Sequence, residues 1–423
     1  MRILLLSTYF QPDIASTGVL MTLLAEELAR LGHQITVITS MPHYHTNCIW
    51  DEYRGRLIQH DQHGPIDVYR LYLYVPDDRG RFLGRILNYA SFNTLSALMG
   101  VLVGQHDVVL VPSPPLTNGL SADLISRFRR IPFVYNVQDI WPGVVVRAGV
   151  MANPRAVAFF RRLERYIYRR SAALAVISEG FRRNLLEKGV PSDKIQVIPN
   201  FFDTDFVRPL SRRNGFSSTH GLDGKFVVLF AGNVGHSQGL ETVLDTAQQL
   251  TDLEDVLFLV VGNGAAKTRL QAYAQRLGLP NVRFLPFQAH ETLPEMYASS
   301  DVCLVPLRKG FTNVSVPCKV FTIMASGRPM IASLDEGSDT WTLVEQAQCG
   351  LCVEPEDPQA LAEAIRALHA DPALRERLGR NGREHVVQHY TQQVVAKQYH
   401  ELLTSLVCPA STATSSPTSS TGP

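Results

Sequence analysis

Short apolar, β-branched runs alternate with segments of helical periodicity along most of the chain. At the start, two apolar runs flank a segment in which Leu20, Leu24 and Leu28 recur at helical spacing. A second series of the same kind begins near residue 225. Strands that alternate with helices form parallel sheets covered on both faces, so the pattern predicts an α/β protein. The predicted strands are residues 2–7, 34–39, 107–111, 132–137 and 174–178, then 226–230, 256–261, 282–285, 302–306 and 329–332.

Two such series in 423 residues predict two doubly wound, Rossmann-like domains. Open α/β sheets bind ligands at the carboxyl ends of their strands, so we expect a cleft where the two domains face each other. The tail has no apolar surface to bury and is predicted to be disordered. The predicted divisions are a first domain over 1–207, a polar linker over 208–224, a second domain over 225–390, a helix over 391–408 that returns to the first domain, and the tail 409–423.

Composition excludes several classes of protein. Lys and Arg number 40 against 39 Asp and Glu, so a chain built for general nucleic-acid binding is excluded. The six cysteines are scattered, and the pair Cys349 and Cys352 lacks the second pair that a zinc site needs. Too few apolar residues follow Met1 for a signal peptide. The uncharged segment 86–103 contains several Asn, Ser and Thr residues, so we interpret it as a buried or interface helix.

The second series contains two features that suit an anionic ligand. Gly232 and Gly235 permit a tight turn after a strand, and the helix that follows would point its N-terminus at a phosphate. The turn matches neither a Walker loop nor a dinucleotide fingerprint, so a plain βα turn is the alternative. Lys319 begins a short helix, where a positive charge does not stabilise the helix. We interpret it as a cation aimed at a ligand diphosphate, the alternative being a lysine on a solvated turn.

In the first series, polar side chains follow the strands. Gln138 and Asp139 would face the cleft, where a carboxylate could orient or deprotonate a hydroxyl; a helix cap or an interdomain hydrogen bond is the alternative. His43 and His45 follow the second strand and are candidates for contact with an acceptor, because a metal site would lack a third ligand. The D-x-D at 203–205 could hold a metal, but we interpret it as interdomain structure.

One predicted helix carries arginines along a single face. At helical spacing, Arg161, Arg162, Arg165 and Arg169 fall opposite to an apolar arc. An ordinary amphipathic helix has this pattern. A helix that contacts anionic lipid or a lipid diphosphate would also show this pattern.

Taken in order, these motifs resemble the family 4 glycosyltransferases of the two-domain GT-B fold. The resemblance covers about residues 1–405 and is strongest with the bacterial branch of colanic-acid and O-antigen fucosyl- or N-acetyl-fucosaminyl-transferases. The markers are Thr8-Tyr-Phe-Gln-Pro12 with Thr17-Gly18, Gln138-Asp-Ile-Trp-Pro142, Val197-Ile-Pro-Asn200, Ala231-Gly-Asn-Val-Gly235 with Gln238-Gly-Leu240, Pro317-Cys-Lys319 and Met324-Ala-Ser-Gly-Arg-Pro329.

The resemblance implies transfer of a sugar from a nucleotide-sugar to a hydroxyl of a saccharide, with retention of configuration and with no metal or other cofactor. It implies catalytic roles for Asp139 and Lys319. From the arginine face and the segment 79–103, we expect an acceptor linked to a lipid diphosphate and a cytoplasmic protein in contact with the inner face of the membrane. Donor-binding residues are then Gly18, Gly232, Asn233, Gly235, Gln238, Lys319, Thr322 and Ser326, and acceptor-binding residues are Thr17, His43, His45, Gln138 and Asp139.

The chain also departs from the family pattern. Many members have an Arg and a Lys where this chain has Asn233 and Gln238, and a Glu-x7-Glu motif where it has Val314 and Thr322. Lys319 is then the main candidate for diphosphate charge, and Thr322 or Ser326 for the donor ribose. A nucleotide-sugar 2-epimerase on the same fold and a non-catalytic partner subunit are the alternative functions.

Overall fold

The computed structural model describes residues 1–408 except 14, 45, 77–81, 144–152, 312–316 and 318, and it gives only the backbone of 82, 83, 85 and 86. Within this part, two sheets covered by helices form two Rossmann-like domains, as the alternating pattern predicted. The predicted disordered tail, 409–423, lies outside the described residues.

The first domain contains an eight-stranded sheet in the order β3-β4-β2-β1-β5-β6-β7-β8. Its pairs are parallel except for the β3–β4 hairpin. The sequence pattern did not predict this hairpin, because β3 is largely polar and carries no apolar run. The strands are β1 (Arg2–Leu6), β2 (Gln34–Ser40), β3 (Ile58–His63), β4 (Ile66–Leu71), β5 (Val108–Pro112), β6 (Phe133–Val137), β7 (Ala173–Val176) and β8 (Ile195–Val197).

Helices cover both faces of this sheet. The first helix packs on one face, and the next four pack on the other. Close approach of the helices depends on small residues: a Cβ at Gly100 would lie 2.3 Å from Ile125, and one at Gly119 would lie 2.6 Å from Ile167. The helices are α1 (Ser16–Arg30), α2 (Phe82–Leu102), α3 (Asn118–Arg129), α4 (Pro154–Arg170) and α5 (Glu179–Glu187).

The second domain contains a six-stranded parallel sheet in the order β11-β10-β9-β12-β13-β14. Strands β9 and β10 are buried at every position, which suits central strands covered on both faces. Burial of each large apolar side chain there contributes roughly 1.5–3 kcal/mol to folding. The strands are β9 (Phe226–Ala231), β10 (Val256–Val261), β11 (Val282–Leu285), β12 (Val302–Pro306), β13 (Met330–Ser333) and β14 (Gly350–Val353).

The segment predicted as a linker contains a short helix, and its Phe216 and Leu222 are buried in the core of the second domain. The last described helix packs against α1, where Val395 and Tyr399 join the core of the first domain. The chain therefore crosses back to its first domain at the end. The remaining helices are α6 (Gly215–Thr219), α7 (Leu240–Gln249), α8 (Lys267–Arg276), α9 (Leu293–Ala298), α10 (Lys319–Ala325), α11 (Asp339–Ala347), α12 (Pro358–Ala370), α13 (Pro372–His389) and α14 (Gln392–Val407).

Candidate functional site

A glycine-rich loop follows β9 and is fixed by backbone contacts. Gly232 has a φ of 142°, a conformation that favours glycine. A Cβ at Gly262 would lie 1.9 Å from the Gly232 carbonyl oxygen, and one at Gly264 would lie 2.3 Å from the Val234 oxygen. The amides of Gly232 and Val234 donate to carbonyl oxygens of Val261 and Asn263 at 3.0 and 2.9 Å. These two amides hold the loop in place, so they are not the ones offered to an anion.

The loop continues into a turn that leads to α7. Gly239 caps this helix with a left-handed φ of 59°, and no side chain caps the helix N-terminus. A Cβ at Gly239 would lie 3.1 Å from Cγ of Arg308, so a larger residue would meet that side chain. The dipole at this N-terminus favours negative charge. The carboxylate of Glu241, in the first turn, already accepts from one of its backbone N–H groups.

The ammonium group of Lys319 lies against this loop. Its Nζ donates to Oε1 of Gln238 at 3.1 Å and lies 3.9 Å from the centre of the Phe230 ring. A Cβ at Gly232 would be 3.3 Å from the same Nζ. The side chain is half-buried in a pocket, and burial lowers the pKa of Lys319 to about 7. A bound anion would favour the charged form of this lysine.

The pocket beside Lys319 has a volume of about 240 Å³. The predicted donor residues Gly232, Lys319 and Thr322 line it together with aromatic and apolar side chains that the sequence did not indicate. Phe287 is 71% exposed and stands at this pocket, although a flat aromatic side chain is usually more buried. The sequence did contain a signal for Phe287, because this residue, like Gly232, follows the end of a predicted strand. The newly found lining residues are Phe202, Phe287, Gln288, Leu293, Met296 and Tyr297.

The other predicted donor residues differ in how accessible they are. Asn233 is exposed on the loop, and Gly235 is half-buried beside it. Ser326 is buried just after α10, and its hydroxyl donates to the carbonyl oxygen of Ile323 in that helix at 2.7 Å, so this group already has a partner. Thr322 is also buried but lines the pocket. Of the two residues expected to recognise a ribose, Thr322 has the better position.

Arg308 provides a second cation at the other end of the loop. Its amide donates to the Ser237 carbonyl oxygen at 2.9 Å, and its guanidinium lies 3.1 Å from a carboxylate oxygen of Glu241. Glu241 also pairs with Arg269. Burial raises the pKa of Glu241, but the backbone amide at the helix start and the two arginines outweigh it and leave that pKa below its ordinary value. Two arginines on one carboxylate leave a net positive charge beside the loop.

In the first domain, Gln138 is held by hydrogen bonds to its neighbours. Its amide nitrogen Nε2 donates to Oδ1 of Asn136 at 2.6 Å, and its Oε1 accepts from Nδ2 of Asn200 at 2.8 Å. The backbone N–H of Gln138 donates to Oγ of Ser113 at 3.1 Å. The side chain therefore links the end of β6 to the segment after β8. Its contact with an acceptor stays a prediction.

Asp139 follows Gln138 at the carboxyl end of the same sheet and is half-buried. Burial raises the pKa of Asp139 to about 6. A carboxyl group with such a pKa is ionised at neutral pH but close to its titration range. It can therefore accept a hydrogen bond from a hydroxyl or exchange a proton with it.

His43 lies at the carboxyl end of β2 in a network that the sequence did not reveal. Its Nδ1 is assigned as donor to the Met41 carbonyl oxygen at 2.9 Å, and its ring stacks on Tyr9 with centroids 5.5 Å apart. Asp13 accepts from the backbone N–H of His43 at 3.0 Å. Gly18, in the first turn of α1, packs here: a Cβ would lie 3.0 Å from Tyr9. Thr17 is half-buried in the same turn.

Several other predicted features have a place in the structure. Asp203 of the D-x-D accepts the N–H groups of Asp205 and Phe206 at 3.0 and 2.9 Å, which forms a local turn. No group of three or more metal-ligating side chains occurs among the described residues. In that same part of the chain, no helix combines the length and apolarity that crossing a membrane requires. His45 and Val314 lie outside the described residues.

Two family models match the chain. Residues 17–200 match the "Glycosyl transferase 4-like domain", and residues 213–385 match "Glycosyl transferases group 1". The boundary between the two matches falls between residues 200 and 213, close to the division between the two sheets.

Individual relatives agree with these matches. The chain is 28% identical over 379 residues to WcaI of Escherichia coli, named as a candidate colanic acid biosynthesis glycosyl transferase, which covers 86% of this chain and 91% of WcaI. It is 28% identical over 218 residues to the D-rhamnosyltransferase WbpZ of Pseudomonas aeruginosa, over 47% of this chain and 55% of WbpZ. Among solved structures, HepE of Anabaena in complex with UDP superposes with a TM-score of 0.70 at 18% identity, over 96% of this chain and 100% of HepE.

Proposed function

This chain belongs to the family 4-like glycosyltransferases of the GT-B fold, and from that premise we propose that it transfers a sugar from a nucleoside diphosphate sugar to a saccharide hydroxyl in surface polysaccharide assembly. The names of WcaI and WbpZ support a sugar-transfer step of this kind. The complex of HepE with UDP supports a nucleoside diphosphate as the leaving group.

The observation that carries the proposal is the ammonium of Lys319 at the glycine loop. It lies 3.1 Å from the side chain of Gln238, and Gln238 is the residue that stands where the family pattern has a lysine. Lys319 therefore supplies from α10 a charge that related enzymes supply from the start of α7. A half-buried cation beside the positive end of the α7 dipole would stabilise the negative charge that develops on a departing diphosphate.

The proposed reaction needs no metal. The acceptor oxygen forms a bond to the anomeric carbon while the bond from that carbon to the diphosphate oxygen breaks, and its electron pair stays on the diphosphate. The acceptor proton moves to an oxygen of the same diphosphate. Attack from the face that the leaving group vacates retains the configuration. Lys319 and Arg308 balance the charge, and Asp139 orients the acceptor hydroxyl.

On the acceptor side we propose a saccharide carried by a lipid diphosphate, used at the cytoplasmic face of a membrane. The arginines of α4 support this part, because Arg161, Arg162, Arg165 and Arg169 are all exposed. A face of exposed arginines suits an anionic membrane surface or the diphosphate of the acceptor.

The test is a panel of UDP-, GDP-, ADP- and dTDP-sugars with the purified protein in the presence of a metal chelator. We expect one nucleotide to raise the melting temperature and to be released slowly from its sugar. The variant Lys319→Ala should lose both effects, and the control Lys309→Ala, which changes an exposed lysine nearby, should keep them. A folded protein that no nucleotide stabilises would contradict the proposal and favour the non-catalytic partner subunit. Release that requires a divalent cation would contradict metal independence.

Product analysis tests the remaining parts. With the right donor and acceptor, the anomeric configuration of the product, measured by NMR, should equal that of the donor. An inverted product would contradict retention. A donor that is converted to its 2-epimer with no transfer would replace the proposal with the epimerase.

A further inference from the structure

The outward face of α3 is apolar, which is unusual for a helix on a protein surface. Leu120, Leu124 and Phe128 are spaced four residues apart and all three are exposed. Phe128 is 69% exposed. The polar and small residues of α3, such as Ser121 and Ala122, are buried instead. The side of α3 that is exposed to solvent is therefore apolar, whereas an apolar side of a helix ordinarily faces a core.

Helix α2 extends this surface. Leu98 and Leu102 are exposed on it, Leu102 to 67%, and α2 has no acidic residue. The two helices pack closely through Gly100 and Ile125 and leave an open groove of about 520 Å³ between Leu98 on one side and Leu124 on the other. We call Leu98, Leu102, Leu120, Leu124 and Phe128 the apolar face. An exposed cluster of this kind marks an interaction site.

The charges around the apolar face are positive. Helix α3 has two arginines and α4 has six, against one acidic residue on each. Both acidic residues are buried and paired: Asp123 contacts Arg170 at 2.8 Å, and Glu164 contacts Lys188 at 2.6 Å. Tyr166 of α4 also donates to Asp123 at 2.7 Å, which holds α4 beside α3. The surface next to the apolar face therefore presents arginine.

We propose that the apolar face is a docking surface for an anionic phospholipid bilayer, with its Leu and Phe side chains in the boundary between head groups and acyl chains and the α4 arginines on the head groups. Apolar side chains beside exposed arginines match the two layers of such a surface. A second copy of the chain matches less well, because a two-fold contact through this face would bring two arginine surfaces together. This proposal extends the proposed use of a lipid-linked acceptor, and it rests on that proposed function.

The test measures binding of the full chain, without substrates, to vesicles of phosphatidylcholine alone or mixed with phosphatidylglycerol. We expect cosedimentation only with the mixed vesicles. Leu124→Ser combined with Phe128→Ser should weaken binding about tenfold or more, because two apolar side chains lose their burial. Arg162→Gln and Arg165→Gln should each weaken it about fivefold, the contribution of one arginine near an anionic surface.

Matched controls lie elsewhere on the chain. Leu57→Ser changes a leucine that is 58% exposed at the start of β3, and Arg377→Gln changes an exposed arginine on α13; both should bind vesicles as the unchanged protein does. No binding to mixed vesicles, or equal binding by the apolar-face variants and the controls, would overturn the proposal. So would concentration-dependent dimerisation that the apolar-face variants abolish. Because nucleotide release is measured separately, a protein that releases nucleotide but ignores vesicles would fail this proposal alone.

Discussion

The carboxyl ends of the two sheets carry the candidate site residues of their domains, but they are built differently. In the second domain, glycines bring backbone against backbone, and the ammonium of Lys319 from a distant helix lies against them. In the first domain, side chains hold one another: Gln138 bridges Asn136 and Asn200, and Asp13 holds the segment that carries His43. The proposed donor side is therefore a fixed backbone cradle to which Lys319 and Arg308 add charge, whereas the proposed acceptor side is a network in which each side chain depends on the next.

Each edge also holds one titratable group that burial moves toward its neutral form. Burial lowers the pKa of Lys319 to about 7 and raises the pKa of Asp139 to about 6. Shifts of this kind are common at sites that handle charge or protons. The lysine gains a counter-charge when a diphosphate binds, whereas the carboxyl meets a neutral hydroxyl. We therefore expect the donor edge to respond more strongly to the loss of its group.

The largest effect is expected from Lys319→Ala. Loss of the Lys319 ammonium at the glycine loop should lower kcat for sugar transfer about 100- to 1000-fold, the usual cost of removing one group that stabilises a developing anion. Steady-state kinetics in a metal chelator would measure it. Lys309→Ala serves as the control, because that lysine is exposed. A variant that keeps more than a third of the activity would mean that the backbone cradle alone carries the donor edge.

Asp139→Asn should lower transfer about 10- to 100-fold, because a hydrogen bond to a charged group contributes roughly 1.5–3 kcal/mol. The dissociation constant for the nucleoside diphosphate should stay unchanged, since we place Asp139 on the acceptor edge. Calorimetry on the same preparation separates the two readouts. Asp193→Asn, on an exposed turn, is the control. If nucleotide binding weakens in step with transfer, Asp139 belongs to the donor edge instead.

The same difference explains how much of the site the sequence could predict. Gly232, Gly235 and Lys319 belong to local motifs whose spacing has a direct physical meaning, and the structure brings Gly232 and Lys319 together. Asp13 and Tyr9 have no such local signal, because their role depends on a loop that follows a different strand. Contacts between distant segments are set by tertiary packing, which periodicity does not contain.

The fold shows the same limit. The apolar central strands were predicted close to their observed bounds, since burial on both faces demands continuous apolar runs. The polar strand β3 was not, because an edge strand exposed along one side needs no such run. The charge of Arg308 at the glycine loop also escaped the sequence, since only the fold brings the end of β12 to Ser237.

Gly262→Ala tests the backbone cradle directly. The new methyl group would overlap the Gly232 oxygen, so the loop must shift, and nucleotide affinity should fall about tenfold. Gly278→Ala is the matched control, because Gly278 also has a positive φ but nothing lies within 4 Å of its Cβ position. Both variants should lose some thermal stability from backbone strain. Only the first should lose affinity; an equal affinity in both would show that the cradle tolerates movement.

The smallest effect, and the one that separates the two edges most cleanly, is the pH dependence of nucleotide binding. Because burial lowers the pKa of Lys319 to about 7, the ammonium form becomes scarce above neutral pH. A diphosphate binds the charged form, so affinity should fall as pH rises, by about fivefold between pH 7 and pH 8 for a single group of that pKa. Lys319→Arg keeps its charge throughout this range, so its affinity, whatever its absolute value, should not change with pH. The nucleotide affinity of Asp139→Asn should depend on pH in this range as that of the unchanged protein does, because the carboxyl group of Asp139 titrates on the acid side of neutrality. If the nucleotide affinity of Lys319→Arg still falls as the pH rises, a group other than Lys319 is responsible for the pH dependence.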